Sequence, residues 1–140
     1  MRLDWSAFIT VIEESKRVVL TSHVRPDCDA LGSELGMAGI LEAVGKDVRI
    51  VNAQETPANL QWIDPQNKLE SLAKGVTPAD LDDRDLLIVL DTSAWAQLGA
   101  MGEVLKRRRE RVVVVDHHVS EDDLSDRWFK DTTAEATARI

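Results

Sequence analysis

The chain of 140 residues is long enough for one domain with a hydrophobic core, and its 44% apolar and 30% charged residues are typical of globular proteins. No apolar run approaches the ~20 residues that a membrane-spanning helix needs, and the single cysteine, Cys28, excludes an internal disulfide. The net charge of −8 argues against a nucleic-acid duplex as the main partner, but bound cations can neutralise a small phosphorylated molecule. We therefore expect a cytoplasmic protein without a membrane partner.

In the first half of the chain, predicted helices alternate with predicted strands. A helix is predicted over residues 4–15, followed by a strand over residues 17–22, a helix over residues 30–44 and a strand over residues 47–53. Gly45 is the expected stop of the second helix, because glycine readily adopts the left-handed conformation that ends helices. The apolar faces of the two helices consist of Trp5, Phe8, Ile9 and Ile12, and of Leu31, Leu35, Ala38 and Leu41.

Three glycines, Gly32, Gly36 and Gly39, fall inside the second predicted helix. Glycine in a helix interior is ~1 kcal/mol less favourable than alanine, so a packing reason is expected for its presence. We expect these glycines to let the helix approach the sheet closely.

In the second half, short helices at residues 58–63 and 78–81 lead to a strand over residues 85–91, a helix over residues 98–109 and a strand over residues 111–116. Both strands are apolar runs that end in a carboxylate, a pattern typical of strands buried on both faces. The alternation of strands and helices predicts an α/β fold with a mostly parallel sheet.

Polar residues that can bind a metal follow three of the predicted strands. In an open parallel α/β sheet the carboxyl ends of the strands border one crevice, so these residues are expected to converge. Pro26 disfavours a helical Arg25 and places the first group in a loop, and Asp29 lies where it can also cap the second helix. The groups are His23, Asp27 and Asp29 after the first strand, Asp91 after the third, and Asp116, His117 and His118 after the fourth.

Histidine and aspartate together suit Mn²⁺, Fe²⁺ or Zn²⁺ better than Mg²⁺, which prefers carboxylates and water. Two such cations about 3.5–4 Å apart can share one carboxylate and one hydroxide, and can neutralise and orient a phosphoryl group for in-line attack. The sequence therefore indicates a two-metal site for phosphoester hydrolysis. The alternative for Asp91 taken alone is a turn-forming or capping aspartate.

The order of these residues resembles the motif series of the DHH phosphoesterase family. The first motif is similar to residues 23–33 (HVRPDCDALGS), the second to residues 87–93 (LIVLDTS), and the third, which gives the family its name, to residues 116–118. Residues 134–138 (AEATA) are similar to the segment that follows in the family. The four matches occur in family order and cover residues 17–140. The branch they resemble most is the nanoRNase-like group of bifunctional oligoribonucleases and 3′-phosphoadenosine 5′-phosphate phosphatases.

The resemblance implies that the site holds two Mn²⁺ ions and that Asp91 bridges them. It also implies that His118 contacts the scissile phosphate, with Asp116 supporting the site from behind the ligands. Cys28 stands where the motif often has glycine, and we do not expect it to be a ligand. The expected ligands are His23, Asp27 and Asp91 for the first ion, and Asp29, Asp91 and His117 for the second.

The resemblance further implies an α/β N-terminal DHH domain with helices on both faces of the sheet, here over residues 1–140 and incomplete at its C-terminus. In the family, another aspartate ligand and a C-terminal substrate-binding domain, the natural intramolecular partner, lie beyond the position of Ile140. A helix expected over residues 133–140 would lack its usual contacts. We therefore expect weak or absent activity from the 140-residue chain, with a homo-oligomer as one option.

The substrate implied by the resemblance is a short single-stranded oligonucleotide or a small nucleotide such as 3′-phosphoadenosine 5′-phosphate. A cyclic-dinucleotide phosphodiesterase of the same superfamily is the rival enzyme. An inorganic pyrophosphatase shares the metal set, but Arg25 and Cys28 are less like that group. A non-catalytic metal- or nucleotide-binding domain is the alternative from a different functional class.

A basic run at residues 106–111 is open to two interpretations. Cations at a helix C-terminus interact favourably with its dipole and stay solvated, and in an acidic chain this is favoured over nucleic-acid binding. The tryptophans are expected to be core or groove anchors, with base stacking by Trp95 as the alternative. They are Trp5, Trp62, Trp95 and Trp128.

Overall fold

Six strands form one parallel sheet in the computed structural model, which describes residues 3–120 and 122–140. The strands run in the order β3-β2-β1-β4-β5-β6, and every neighbouring pair is parallel. The chain adds β2 and β3 on one side of β1 and then continues with β4 on the other side, so the strand order reverses between β1 and β4. The strands are β1 (Arg17–Thr21), β2 (Asp47–Asn52), β3 (Leu69–Ser71), β4 (Leu86–Leu90), β5 (Val112–Asp116) and β6 (Trp128–Lys130).

Three α-helices cover the two faces of the sheet: α1 (Ser6–Glu13), α2 (Cys28–Ala43) and α3 (Met101–Lys106). Successive strand residues point to opposite faces, so each strand contributes to two hydrophobic clusters. One cluster joins Val18 and Leu20 of β1 to residues of α1 and α2, and the other joins Val19 to residues of α3. The structure thus confirms the predicted α/β fold with helices on both faces. No helix in the described part of the chain has the length and apolar content to cross a membrane.

The four predicted strands agree with β1, β2, β4 and β5 to within one residue at each end. Their apolar content explains this agreement, because burial on both faces leaves continuous apolar runs in β4 and β5 and a shorter one in β1. The outer strands β3 and β6 were not predicted, because each has only three residues and no recognisable period.

One predicted helix is shorter than expected, and another is wrong. α3 has six residues and is followed by a 3-10 helix at Arg109–Arg111, where one helix over residues 98–109 was expected. The helix expected over residues 133–140 is absent, and only a 3-10 turn at Thr137–Arg139 forms. The short helices at Ala58–Ile63 and Pro78–Leu81 are confirmed as 3-10 helices.

The sheet-facing side of α2 is confirmed, but the expected role of its glycines is wrong. Leu31, Ala38 and Leu41 are buried, and Gly45 ends the helix with a φ of 84°. A Cβ atom at any of the three glycines inside the helix would meet nothing within 4 Å. These glycines therefore do not serve a close approach of the helix to the strands. In α1, Ile9 was placed on the apolar face but is 53% exposed.

Candidate metal centre

The predicted metal ligands meet at the carboxyl edge of the sheet, where the strand order reverses. His23 follows β1 and Asp91 follows β4, the two strands on either side of the reversal, and His117 follows β5. Ligand sites of open α/β sheets lie at such a switch point, because the loops diverge there and leave a crevice. The geometry expected from the three strand ends is present.

Asp91 is the centre of the cluster. Its residue is 2% exposed, and its carboxylate lies between two imidazole rings. Oδ2 is 3.4 Å from Nε2 of His23, and Oδ1 is 3.4 Å from Nε2 of His117. Thr137 Oγ1 donates a 2.9 Å hydrogen bond to the same Oδ1. Asp91 has a left-handed φ of 64°, a conformation that aspartate tolerates better than most residues and that aims its side chain back across the strand ends.

Both histidines are held in the tautomer that a metal ligand needs. Nδ1 of His23 lies 2.8 Å from the carbonyl oxygen of Val24, and Nδ1 of His117 lies 3.1 Å from that of Ala134. A carbonyl oxygen only accepts, so Nδ1 carries a proton in each ring, and Nε2 is the nitrogen that the neutral ring offers to a metal. Hydrogen bonds of this kind orient histidine ligands in metal sites.

The two aspartates at the start of α2 have different partners. Asp27 caps the helix by accepting from Ala30 N at 2.9 Å, and its Oδ1 is 3.8 Å from His23 Nε2. The expectation that Asp29 caps this helix is therefore wrong, because the helix begins at Cys28, two residues before the predicted start. Asp29 instead accepts from the amides of Thr137 and Ala138, each at 2.9 Å, and its Oδ2 is 3.6 Å from His117 Nε2.

The electrostatics of the cluster show strong coupling between these groups. The hydrogen bond with Asp91 raises the pKa of His23 to about 9, against the opposing effect of burial. Burial raises the pKa of Asp91, although contacts with His23 and Thr137 oppose the rise. Partial burial also acts to raise the pKa of Asp29, but the amides of Ala138 and Thr137 and other contacts outweigh it, so this pKa is lowered.

Asp116 and His118 form a second layer beside Asp91. Asp116 is fully buried, and its Oδ1 accepts from the backbone amide of His117 at 2.9 Å and from Nδ1 of His118 at 2.7 Å. The ring of His118 is about half exposed, and its Nδ1 is 4.0 Å from Asp91 Oδ1. The carboxylate therefore fixes the ring of His118, while the far edge of the ring borders the crevice.

Two overlapping groups have ligand atoms that all lie within 4.8 Å of one another. Asp91 belongs to both, as a bridging residue should. The first group matches the expected set, whereas the second contains His118 and not Asp29. Cys28 belongs to neither. The groups are His23, Asp27 and Asp91, and Asp91, His117 and His118.

A buried polar network supports the loop that carries His23. Glu34 of α2 is fully buried and accepts from Asn52 Nδ2 at 2.9 Å, and Asn52 Oδ1 accepts from the amide of Ser22 at 3.0 Å. Burial raises the pKa of Glu34 to about 7. The backbone of the His23 loop is fixed from another side, where Val24 N donates to the carbonyl oxygen of Gln97 at 2.6 Å. The sequence analysis did not identify Glu34 or Asn52, which no motif marks.

The tryptophans and the basic run have different environments. Lys106 Nζ and Arg109 Cζ lie 5.6 Å and 5.9 Å from the ring centre of Trp95, which packs against the core. Trp5 stacks on Phe129 at a centroid distance of 5.4 Å. Trp62 is 71% exposed, so the expectation of an anchoring role is wrong for that residue.

The fold and the site together define an α/β protein with a candidate metal centre at the switch point of a parallel sheet. The chain belongs to the DHH family: residues 17–140 match the N-terminal domain of that family.

Individual relatives share this part of the chain. It is 30% identical over 115 residues to the cyclic-di-AMP phosphodiesterase GdpP of Bacillus subtilis, covering 77% of this chain and 17% of that protein. It is 22% identical over 117 residues to the bifunctional oligoribonuclease and PAP phosphatase NrnA of Mycoplasma pneumoniae, covering 84% and 35%. An exopolyphosphatase-related protein from Bacteroides fragilis has the same fold, with a TM-score of 0.88 at 22% identity, covering 96% of this chain and 41% of that one. The chain thus spans less than half the length of each of these proteins.

Proposed function

We propose that this chain is the metal-binding half of a two-metal phosphoesterase that hydrolyses short oligonucleotides or small nucleotides such as 3′-phosphoadenosine 5′-phosphate. The position of the Asp91 carboxylate carries the proposal. Its two oxygens face different imidazoles, Oδ2 toward His23 Nε2 and Oδ1 toward His117 Nε2, each at 3.4 Å. A carboxylate placed between two nitrogen donors is the arrangement that a bridging ligand of two cations requires.

The donor set fits divalent transition metals and favours Mn²⁺ as the proposed cofactor. Neutral imidazole nitrogens and carboxylate oxygens suit Mn²⁺, Fe²⁺ and Zn²⁺, and the tautomers of both histidines leave Nε2 available. Bound cations would supply the positive charge and the activated water that attack on a phosphoryl group requires. The proposed ligands are His23, Asp27 and Asp91 for one ion and Asp29, Asp91 and His117 for the other.

His118 is the proposed contact to the scissile phosphate. Its Nδ1 is held by Asp116 at 2.7 Å, so Nε2 is the nitrogen that can meet an oxygen of the substrate. Because the side chain of His118 is 49% exposed, a ligand in the crevice can reach it without rearrangement. Asp116 then acts on the substrate only through this ring.

Calorimetric titration with Mn²⁺ tests the metal centre directly. The parent chain is expected to bind Mn²⁺. Loss of a group that supports a metal ligand typically lowers metal affinity about 10–100-fold. Asp91→Asn should lower the Mn²⁺ affinity by more than this, because both ions lose a ligand. Asp126→Asn, at an exposed aspartate, is the matched control and should bind as the parent does. Equal affinity of Asp91→Asn and the parent would exclude a bridging role.

A substrate panel separates the candidate activities. With Mn²⁺ present, the dinucleotide pApA and 3′-phosphoadenosine 5′-phosphate are expected to be hydrolysed faster than pyrophosphate, and His118→Ala should abolish the reaction. Faster hydrolysis of cyclic di-AMP would favour the second candidate, a cyclic-dinucleotide phosphodiesterase, which the 30% identity to such an enzyme supports. Tight Mn²⁺ binding with no hydrolysis of any substrate, even by a chain extended with the C-terminal domain expected from the family, would favour a binding domain.

A further inference from the structure

Lys130, on the edge strand β6, places its ammonium group next to Asp116 of the candidate site. Nζ of Lys130 lies 3.8 Å from Oδ2 of Asp116, and only 11% of the lysine side chain is exposed. Asp116 itself is fully buried. Opposite charges inside a protein stabilise each other, and removal of one leaves the other uncompensated. The pair adjoins the candidate site, because Asp116 also accepts from the amide of His117 and from the ring of His118.

Asp116 links this ammonium to the ring of His118. Its Oδ2 accepts a short hydrogen bond from Ser93 Oγ, and the same hydroxyl lies 3.2 Å from Lys130 Nζ. Its Oδ1 accepts from His118 Nδ1 at 2.7 Å. Since the two oxygens belong to one rigid carboxylate, the groups that hold Oδ2 also determine where Oδ1 points. The direction of the His118 ring therefore depends on Lys130 and Ser93.

Lys130 also holds the backbone of the loop after β5. Its Nζ donates to the carbonyl oxygen of Ser120 at 2.8 Å. Ser120 lies two residues beyond His118, so one ammonium restrains both the loop and the carboxylate that orients the ring. We propose that Lys130 is a positioning residue for phosphoester hydrolysis, which fixes Asp116 and through it the tautomer and orientation of His118. This inference rests on the proposed role of His118 at the phosphate.

The first test does not depend on activity. In protein labelled with ¹⁵N-histidine, NMR is expected to show His118 as a single species protonated at Nδ1, because the bond to Asp116 demands it. Lys130→Met should give a mixture of tautomers or a mobile ring, whereas Lys130→Arg, which keeps the charge, should retain the parent signal. Lys74→Met, at an exposed lysine, is the matched control. An unchanged His118 ring in folded Lys130→Met would overturn the proposal. Lys130→Gln, which keeps a donor for the loop, replaces Lys130→Met if circular dichroism shows that the latter is unfolded.

The second test links the ring to turnover of pApA. Lys130→Met is expected to lower kcat about 10-fold with little change in KM, and Lys130→Arg should restore most of it. In a His118→Ala background the same change should matter less than about 2-fold, because residues that act through one another are not additive. Equal losses in both backgrounds would show that Lys130 acts without His118. If neither the parent nor a chain extended by the C-terminal domain expected from the family hydrolyses any of the substrates, the proposed function fails, while the NMR result still decides the positioning role.

Discussion

Replacement of Glu34 by glutamine should stabilise the protein in a pH-dependent way. Glu34 is fully buried in α2, its Oε1 has no hydrogen-bond partner within the described part of the chain, and burial raises its pKa to about 7 from an ordinary 4.5. Each pKa unit corresponds to about 1.4 kcal/mol, so the ionised carboxylate lowers the folding stability by about 3 kcal/mol. Glutamine is neutral at every pH, and its Oε1 can still accept from Asn52.

The sign follows from proton linkage. Well below the ordinary pKa of 4.5, Glu34 is protonated in both states and the carboxyl group adds no penalty. Between pH 4.5 and about 7 the unfolded chain loses this proton while the folded protein keeps it, so stability falls as the pH rises. Above about pH 7 the penalty is complete and constant. The advantage of Glu34→Gln should therefore grow from pH 5 to pH 7 and then level off.

Urea unfolding in EDTA at pH 5, 6, 7 and 8.5 measures this difference. The other titrating groups are common to both proteins, so their contributions cancel in the comparison. Glu13→Gln, at an exposed position of α1, is the matched control and should change the free energy of unfolding by less than about 0.5 kcal/mol at each pH. A difference for Glu34→Gln that stays flat with pH, or a loss of stability at pH 8.5, would refute the reasoning.

Three further outcomes are expected. Gly36→Ala should raise the free energy of unfolding by about 0.5–1 kcal/mol, because its Cβ meets nothing, whereas Gly99→Ala should lower it by about 1–3 kcal/mol. Gly99 has a φ of +53°, and a Cβ atom at this position would lie 2.8 Å from Val24 in the His23 loop. Urea unfolding of both variants measures the two changes in stability, and equal changes would contradict the prediction. Since the pKa of His23 is raised to about 9, Mn²⁺ must displace its proton at any pH below that value. Calorimetry in buffers of different ionisation enthalpy should therefore show proton release at pH 7.5 and an Mn²⁺ affinity that rises with pH. An affinity that does not depend on pH would argue against His23 as a ligand. Thr137→Val, which removes a hydrogen bond to the bridging carboxylate, should weaken Mn²⁺ binding about 10-fold, while Thr133→Val at an exposed position should not.

The sequence was sufficient to predict the central strands and the convergence of the candidate metal ligands at one edge of the sheet. Apolar runs such as residues 86–90 leave little choice but a buried strand, and a parallel sheet places all the following loops at one edge. His23, Asp91 and His117 could therefore be assigned to one site before any distance was known. Whether they bind metal stays a prediction that the titration above tests.

What the sequence did not predict depends on contacts between distant segments. The helix expected at residues 133–140 fails to form because the amides of Thr137 and Ala138 are used by Asp29, a partner about a hundred residues away in the chain. Lys130 lies on a three-residue strand whose pattern is too short to recognise. The role of the glycines in α2 was predicted wrongly for a related reason. Periodicity identifies the apolar stripe of a helix, but it does not show how closely another element approaches each residue.

The hydrogen bond between Asp29 and Thr137 closes a loop of 108 residues. A chain leaving the ribosome therefore exposes His23 and Asp27 early, but it does not complete the surroundings of Asp29 and Asp91 until almost all of the described strands are in place. The half-built cluster has fewer donors, so a cation that bound the finished site, as proposed, would stabilise the last step of folding and slow local opening around Thr137. Metal supply and retention of the folded state would then be coupled through the contacts that Thr137 and Ala138 make with Asp29.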